Sequence, residues 1–232
     1  VVRLTRALRP EGIQWPLGDD GKPSIRLELL TRENNISHEA AHDAMSDVYA
    51  TIDMARLIRD RQPRLYDYMY QHRKKADVSK LFNLRTHDAL LHVSSRYSAE
   101  RGAIAMVMPL CRHPSNKNSI VVYDLGHDPV DFIEIDAEEV SARLYTKSDD
   151  LPEGVHRIPL KEVHINKCPV IVPLKTMDSA SASRLNIDIE PCEAHRQTIL
   201  QHIETLTEKT RQVFGNQNYP DITDPDAQIY SG

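Results

Sequence analysis

Beyond Pro63 the chain breaks into short apolar or alternating runs, "ALLHVSS", "AIAMVMPLC", "SIVVYDL", "DFIEI" and "CPVIVPL". Turn-rich pieces such as "HPSNKNS" and "GHDP" separate them. Runs this short, rich in β-branched residues and closed by Pro, Gly, Asn or Asp, read as strands. Their close spacing predicts a small antiparallel barrel or sandwich. A helix is expected to interrupt at "DAEEVSARLY", and a longer one over 191–214. The tail "GNQNYPDITDPDAQIYSG" reads as a linker.

Upstream of Pro63 the pattern is helical. "VVRLTRAL" places Val1, Leu4 and Leu8 on one side and arginines on the other. "RPEGIQWPLGDDGKPS" is a loop, and "SIRLELLTREN" predicts a short helix closed near Asn34 and Asn35. Ser37 is then expected to cap a long helix over 38–61, with an apolar stripe of Ala41, Met45, Val48, Ile52 and Ala55. Pro63 ends it. "RLYDYMYQHRKKADVSKLF" reads as one more helix or a helical linker. The change of character sets a boundary at 62–64, and the fold class is α+β.

The 232 residues suffice for one large domain or two small ones, each with a real core. No apolar run approaches the roughly 18 residues a membrane span needs. "VVRLTRALRP" has no signal-peptide pattern, and Cys111, Cys168 and Cys192 are odd in number and widely spaced. A reducing, cytoplasmic setting follows, with the cysteines expected as buried small apolar residues. The net charge of −5 speaks against a uniformly basic nucleic-acid binder. Local clusters remain: Arg3, Arg6 and Arg9, and "HRKK" at 72–75. Cys111, His113, His164 and Cys168 do not have standard zinc-finger spacings.

One stretch, "HDAMSD" at 42–47, carries chemistry in an odd arrangement. Five helical steps turn about 140° and climb roughly 7.5 Å, so His42 and Asp47 cannot bond as an i,i+4 pair. They can still flank a common site. Alone, such a spacing says little. Together, "RPEGIQWPLGDDGKPSIRLELL", "SHEAAHDAMSDVYATIDMARLIRDRQPRLYDY" and "HINKCPV" resemble the bacterial exonuclease I family, DEDDh 3′→5′ exodeoxyribonucleases of single-stranded DNA. The likeness runs along the chain. It thins over 76–160, where it rests on the order of elements and "RLYT" at 143–146.

The resemblance implies the C-terminal part of a ribonuclease H-like exonuclease domain (1–62), an SH3-like β-rich domain with helices (63–218), and a linker into a C-terminal helical domain (219–232). It implies His42 as general base and Asp47 as a ligand of Mg2+, with Mn2+ able to substitute. A neutral imidazole suits the first role and a hard oxygen donor the second. Arg26 and Arg3 are expected to contact DNA phosphates. Lys167 is expected to be an ordinary surface residue. Arg9 and Tyr68 are candidates for binding the acidic C-terminal tail of single-stranded-DNA-binding protein. A monomer is expected, with no membrane association. The family's Asp-x-Glu metal motif and second aspartate would precede Val1, so this stretch by itself is expected to be inactive. "DIE" at 188–190 comes too late in the chain to replace that motif. The alternative is a non-catalytic nucleic-acid- or protein-binding module built on the SH3-like domain.

Overall fold

The computed structural model describes residues 1–38, 43–98 and 101–215. Five strands form one sheet: β1 (Leu90–Val93), β2 (Ile104–Arg112), β3 (Ser119–Asp124), β4 (Leu160–His164) and β5 (Val170–Pro173). Their order is β4-β3-β2-β1-β5, antiparallel throughout. Helices α1 (Val2–Leu8), α2 (Leu27–Glu33), α3 (Ala44–Arg61), α4 (Pro63–Gln71) and α5 (Lys75–Leu81) precede the sheet. Helices α6 (Val130–Glu134) and α7 (Ala137–Tyr145) lie between β3 and β4, and α8 (Ser179–Arg184), α9 (Ile189–Gln201) and α10 (Ile203–Gly215) follow β5.

Successive strand residues point to opposite faces, and here both faces are covered. Leu91, Ile104, Met106, Met108, Val121 and Tyr123 share one core with Leu4 and Leu8 of α1, Val140 of α7, Ile199 of α9 and Phe214 of α10. Leu90, Ala105, Val107, Ile120, Val122 and Ile171 form the other, with Val78 of α5 and Phe82, which caps it. That double burial is why β2 reads as a nearly unbroken apolar run. Pro109 sits inside this central strand without breaking it, because the register shifts between Pro109 and Cys111. A bulge tolerates the missing N–H. It also turns both Leu110 and Cys111 into the same core.

Several expectations are corrected. "DFIEI" is helix α6, not a strand: Phe132 stacks on Tyr123 with ring centroids 5.5 Å apart. Strand β4 was not foreseen, because Lys161 and Glu162 interrupt its apolar pattern. The helix over 191–214 is two, α9 and α10, separated at His202. The long helix begins at Ala44, not His38, and Asp43 rather than Ser37 caps it, accepting from Ser46 N at 3.0 Å. Cys168 is exposed, unlike Cys111 and Cys192.

The stripe on α3, expected to lie exposed because its covering sheet would precede Val1, is on the outside, and Ala41 lies outside the described residues. Met45, Val48 and Ile52 are 55%, 48% and 40% exposed, while Ala50, Met54 and Ile58 are buried. Met54 and Ile58 pack with Ile13 and Leu30 in a small third core that fixes α2 against α3. Among the described residues, no helix is long and apolar enough to cross a membrane.

Candidate functional site

The N-terminal turn of α3 is the place where the chain assembles chemistry. Asp43 caps the helix, and Asp47 lies in its first turn. The Asp47 carboxylate meets a residue the spacing argument overlooked. His38 Nε2 lies 2.7 Å from Asp47 Oδ1. The His38 side chain is only 4% exposed, whereas that of Asp47 is 44% exposed. Behind the imidazole, His38 Nδ1 lies 3.2 Å from Thr31 Oγ1 on α2. Thr31 is itself buried, its hydroxyl 2.9 Å from Leu27 O and 3.0 Å from Glu28 O. A buried row, Thr31–His38–Asp47, therefore runs outward from α2 and ends on a solvent-facing carboxylate.

His38 lies nine positions before Asp47 and outside the helix that carries it, so no helical periodicity links them. The signal was a second histidine in "SHEAAHD", four residues before His42. His42 lies outside the described residues.

The other candidates are distributed over the surface. Arg26 occupies the N-cap position of α2 and is exposed. Arg3 is exposed on α1. Lys167 is exposed in the turn between β4 and β5, its N–H bonded to His164 O at 3.1 Å. Arg9 reaches the segment leaving β5, and Tyr68 reaches β5 itself. Arg9 follows α1 as its C-cap and donates to Leu8 O (2.6 Å) and Thr176 O (2.9 Å), with Asp178 Oδ2 at 3.5 Å. Tyr68 on α4 donates to Ile171 O at 3.1 Å and stacks on His72. Burial pushes the Tyr68 hydroxyl up to about 12, so it stays a donor across the physiological range.

Among the described residues no group of three or more His, Cys, Asp or Glu side chains is placed to hold a metal ion. Asp47 fits as one hard oxygen ligand, already held on one oxygen as ligating carboxylates commonly are. It does not make a complete site. Cys111 is buried in the sheet, and His113 Nδ1 accepts from Asn116 N at 3.0 Å. Cys168 instead donates its thiol to Arg73 O.

The architecture is thus a β-rich module sealed by helices, with a carboxylate presented on a preceding helix. Residues 73–216 match the model of the exonuclease I SH3-like domain, and the chain belongs to that family. Exodeoxyribonuclease I of Escherichia coli K12 is 43% identical over 233 residues, covering all of this chain and 49% of the relative. Exonuclease I from Methylocaldum szegediense superimposes with a TM-score of 0.92 at 46% identity, covering all of this chain and 48% of that one. A solved structure of E. coli exonuclease I gives 0.91 at 42%, again over all of this chain and 48% of that one. The chain spans about half the length of the relatives it matches.

Proposed function

We propose that this chain serves a single-strand-specific 3′→5′ exodeoxyribonuclease that hydrolyses phosphodiester bonds and releases mononucleotides in DNA repair. The supporting observation is the likeness to exodeoxyribonuclease I along the whole chain, which includes the helix presenting Asp47. One of those relatives was solved in complex with a dA16 oligonucleotide, in keeping with a single-stranded DNA substrate.

In this reading His42 takes the proton of the attacking water, and Asp47 is a ligand of Mg2+, with Mn2+ as a substitute. The cation, when bound, neutralises charge that builds on the scissile phosphate. Exposed Arg3 and Arg26 steer the DNA backbone by contacting phosphates. Residues 1–62 belong to the exonuclease domain, 63–218 to the SH3-like domain and 219–232 to a linker. The exposed face of α3 lies against further structure of the exonuclease domain, for which the longer relatives have room. The protein works as a cytoplasmic monomer.

Single-stranded-DNA-binding protein is the proposed partner, and a solved SSB/exonuclease I structure among the relatives supports it. Arg9 and Tyr68 are its candidate contacts. Each already spends polar atoms on the segment 171–178, so the guanidinium edge and the ring face are what remain to offer.

Single-turnover cleavage of a 3′-ended oligonucleotide tests the reading. In the full-length protein, His42→Ala should slow the chemical step by about 10²–10⁴-fold with little change in DNA affinity. Asp47→Asn should be at least as damaging. Residues 1–232 alone should not cut, since one carboxylate cannot hold a pair of Mg2+ ions. Near-normal cleavage by His42→Ala removes His42 from the mechanism, and digestion by residues 1–232 relocates the active site.

A further inference from the structure

Asp47 projects from the first turn of α3 on a side chain with two free torsions, and a ligating carboxylate is useful only in one orientation. The structure supplies a restraint. A carboxylate oxygen is an acceptor only, so the 2.7 Å contact requires that His38 Nε2 carry the hydrogen it donates to Asp47 Oδ1. The imidazole has little room to turn. Its side chain is 4% exposed, and Nδ1 on its far edge is engaged by Thr31 Oγ1 at 3.2 Å. Thr31 Oγ1 also lies 2.9 Å from Leu27 O and 3.0 Å from Glu28 O, so its single hydrogen is shared between the α2 backbone and Nδ1. The helix carrying Asp47 and the helix anchoring Thr31 are locked together by Leu30, Met54 and Ile58. The row is held at its inner end by Thr31 and ends on Asp47, whose side chain is 44% exposed.

We infer that His38 is a positioning residue: it holds the Asp47 carboxylate in the orientation needed to ligate the cation, with Thr31 fixing the ring. This deepens the reading of Asp47 as a metal ligand and rests on it. A purely packing role would need only bulk between α2 and α3. The polar contact at each ring nitrogen, and the alignment of the inner one with an anchored hydroxyl, are what packing leaves unexplained. Partners of this kind, one bond removed from the metal, change metal affinity or activity by about 10–100-fold when lost.

Two conservative variants of the full-length protein separate the roles. The amide nitrogen of Gln reaches the place of imidazole Nε2, while that of Asn reaches only the place of Nδ1. His38→Asn therefore keeps the Thr31 side and loses Asp47, and His38→Gln keeps a donor to Asp47. Binding of Mn2+ alone, followed by electron paramagnetic resonance of the free ion, is the primary readout, with unfolding temperature as the control for structure. His38→Asn should weaken Mn2+ binding by about 10–100-fold. His38→Gln should restore most of that loss. Added to Asp47→Asn, His38→Asn should cause no further weakening. In the nuclease assay kcat should fall for His38→Asn with KM for single-stranded DNA unchanged. If His38→Asn binds Mn2+ normally while Asp47→Asn does not, the ligand reading stands and the positioning role is overturned. Equal impairment by the Asn and Gln variants overturns it as well, pointing to bulk. If Asp47→Asn itself binds Mn2+ normally, the ligand reading fails and the positioning role goes with it.

Discussion

The sheet and helix α3 bury their apolar residues in opposite styles. The sheet is covered on both faces: strands β1 to β3 are buried on both sides, with α1, α7, α9 and α10 on one side and α5 on the other. Helix α3 is closed on one side only. Ala50, Met54 and Ile58 are buried, and Met45, Val48, Tyr49 and Ile52 are exposed. A region whose apolar contacts are complete opens only with the whole fold, whereas a helix held by one face can fray locally. Asp47, the proposed metal ligand, sits on the incompletely covered element. The sealed core and the proposed ligand therefore lie in different parts of the chain, and substitutions can probe the two separately.

The largest effect should come from the sealed part. Leu91 in β1 has no exposure and lies in the larger core. Leu91→Ala removes buried methyl groups and leaves a cavity, so the stability of residues 1–232 in urea should fall by about 2–5 kcal/mol. A change below about 0.5 kcal/mol, the usual range for surface sites, would show that the sheet is not a closed core.

Acid should act on the same region. Burial, with a smaller contribution from nearby Lys161, pulls His92 down from 6.5 to about 3. Its Nδ1 lies 2.8 Å from the Tyr97 hydroxyl. The folded state therefore holds His92 neutral, while the unfolded chain takes up a proton below about 6.5. Between those values the unfolded state binds more protons, so stability falls as pH falls, by about 1.4 kcal/mol per pH unit at most from this group. Urea midpoints measured from pH 6.5 to 4 should show this slope, and His92→Gln should flatten it. An unchanged slope in the variant would assign the acid sensitivity to another group.

A smaller effect is expected where α6 meets α10. Lys209 Nζ donates to Phe132 O and Ile133 O, at 2.9 and 3.0 Å, and to Ile135 O. Burial lowers its pKa, yet the ammonium caps carbonyls that α6 cannot satisfy within itself. Lys209→Met keeps the stem and removes the donors. A loss of about 1–2 kcal/mol is expected, discounted because the site is only partly buried. Equal stability of the variant would mean that water satisfies those carbonyls just as well.

How much of this could be read beforehand depends on which forces acted locally. Strands β1, β2, β3 and β5 were legible because β-branched and apolar residues fill them almost continuously. Strand β4 was not, since only Leu160 and Val163 among its five residues are buried. "DFIEI" misled because a five-residue segment with apolar residues at alternate and adjacent places fits a strand or a single helical turn. Tertiary packing of Phe132 on Tyr123 accompanies the helical choice. The break at His202 carries no Pro or Gly to announce it. At the site, Asp47 could be singled out from spacing and resemblance, but His38 could not: it lies outside the helix that carries Asp47, and their proximity exists only after α2 and α3 have packed. Arg9 shows the converse. Read as a partner contact, it also serves its own helix, bonding to Leu8 O as a C-terminal cation should.

The smallest expected effect lies on the open face of α3 and sharpens the contrast most directly. Ile52 is 40% exposed, so truncation removes few contacts, and alanine is the better helix former. In residues 1–232, Ile52→Ala should shift stability by no more than about 0.5 kcal/mol in either direction. If the longer protein covers this face, the same substitution there should behave as a core truncation, losing about 2–5 kcal/mol. Val48→Ala, one turn earlier on the same stripe and 48% exposed, should follow the same pattern on a smaller scale. The measurement is a pair of urea titrations, one on each length of chain. A small effect in both would mean that α3 keeps an open apolar face in the full-length protein, and the helix bearing Asp47 would then stand apart from the exonuclease domain. A large effect already present in residues 1–232 would mean that the face is covered from within this chain, and the contrast between the sealed sheet and the open helix would be lost.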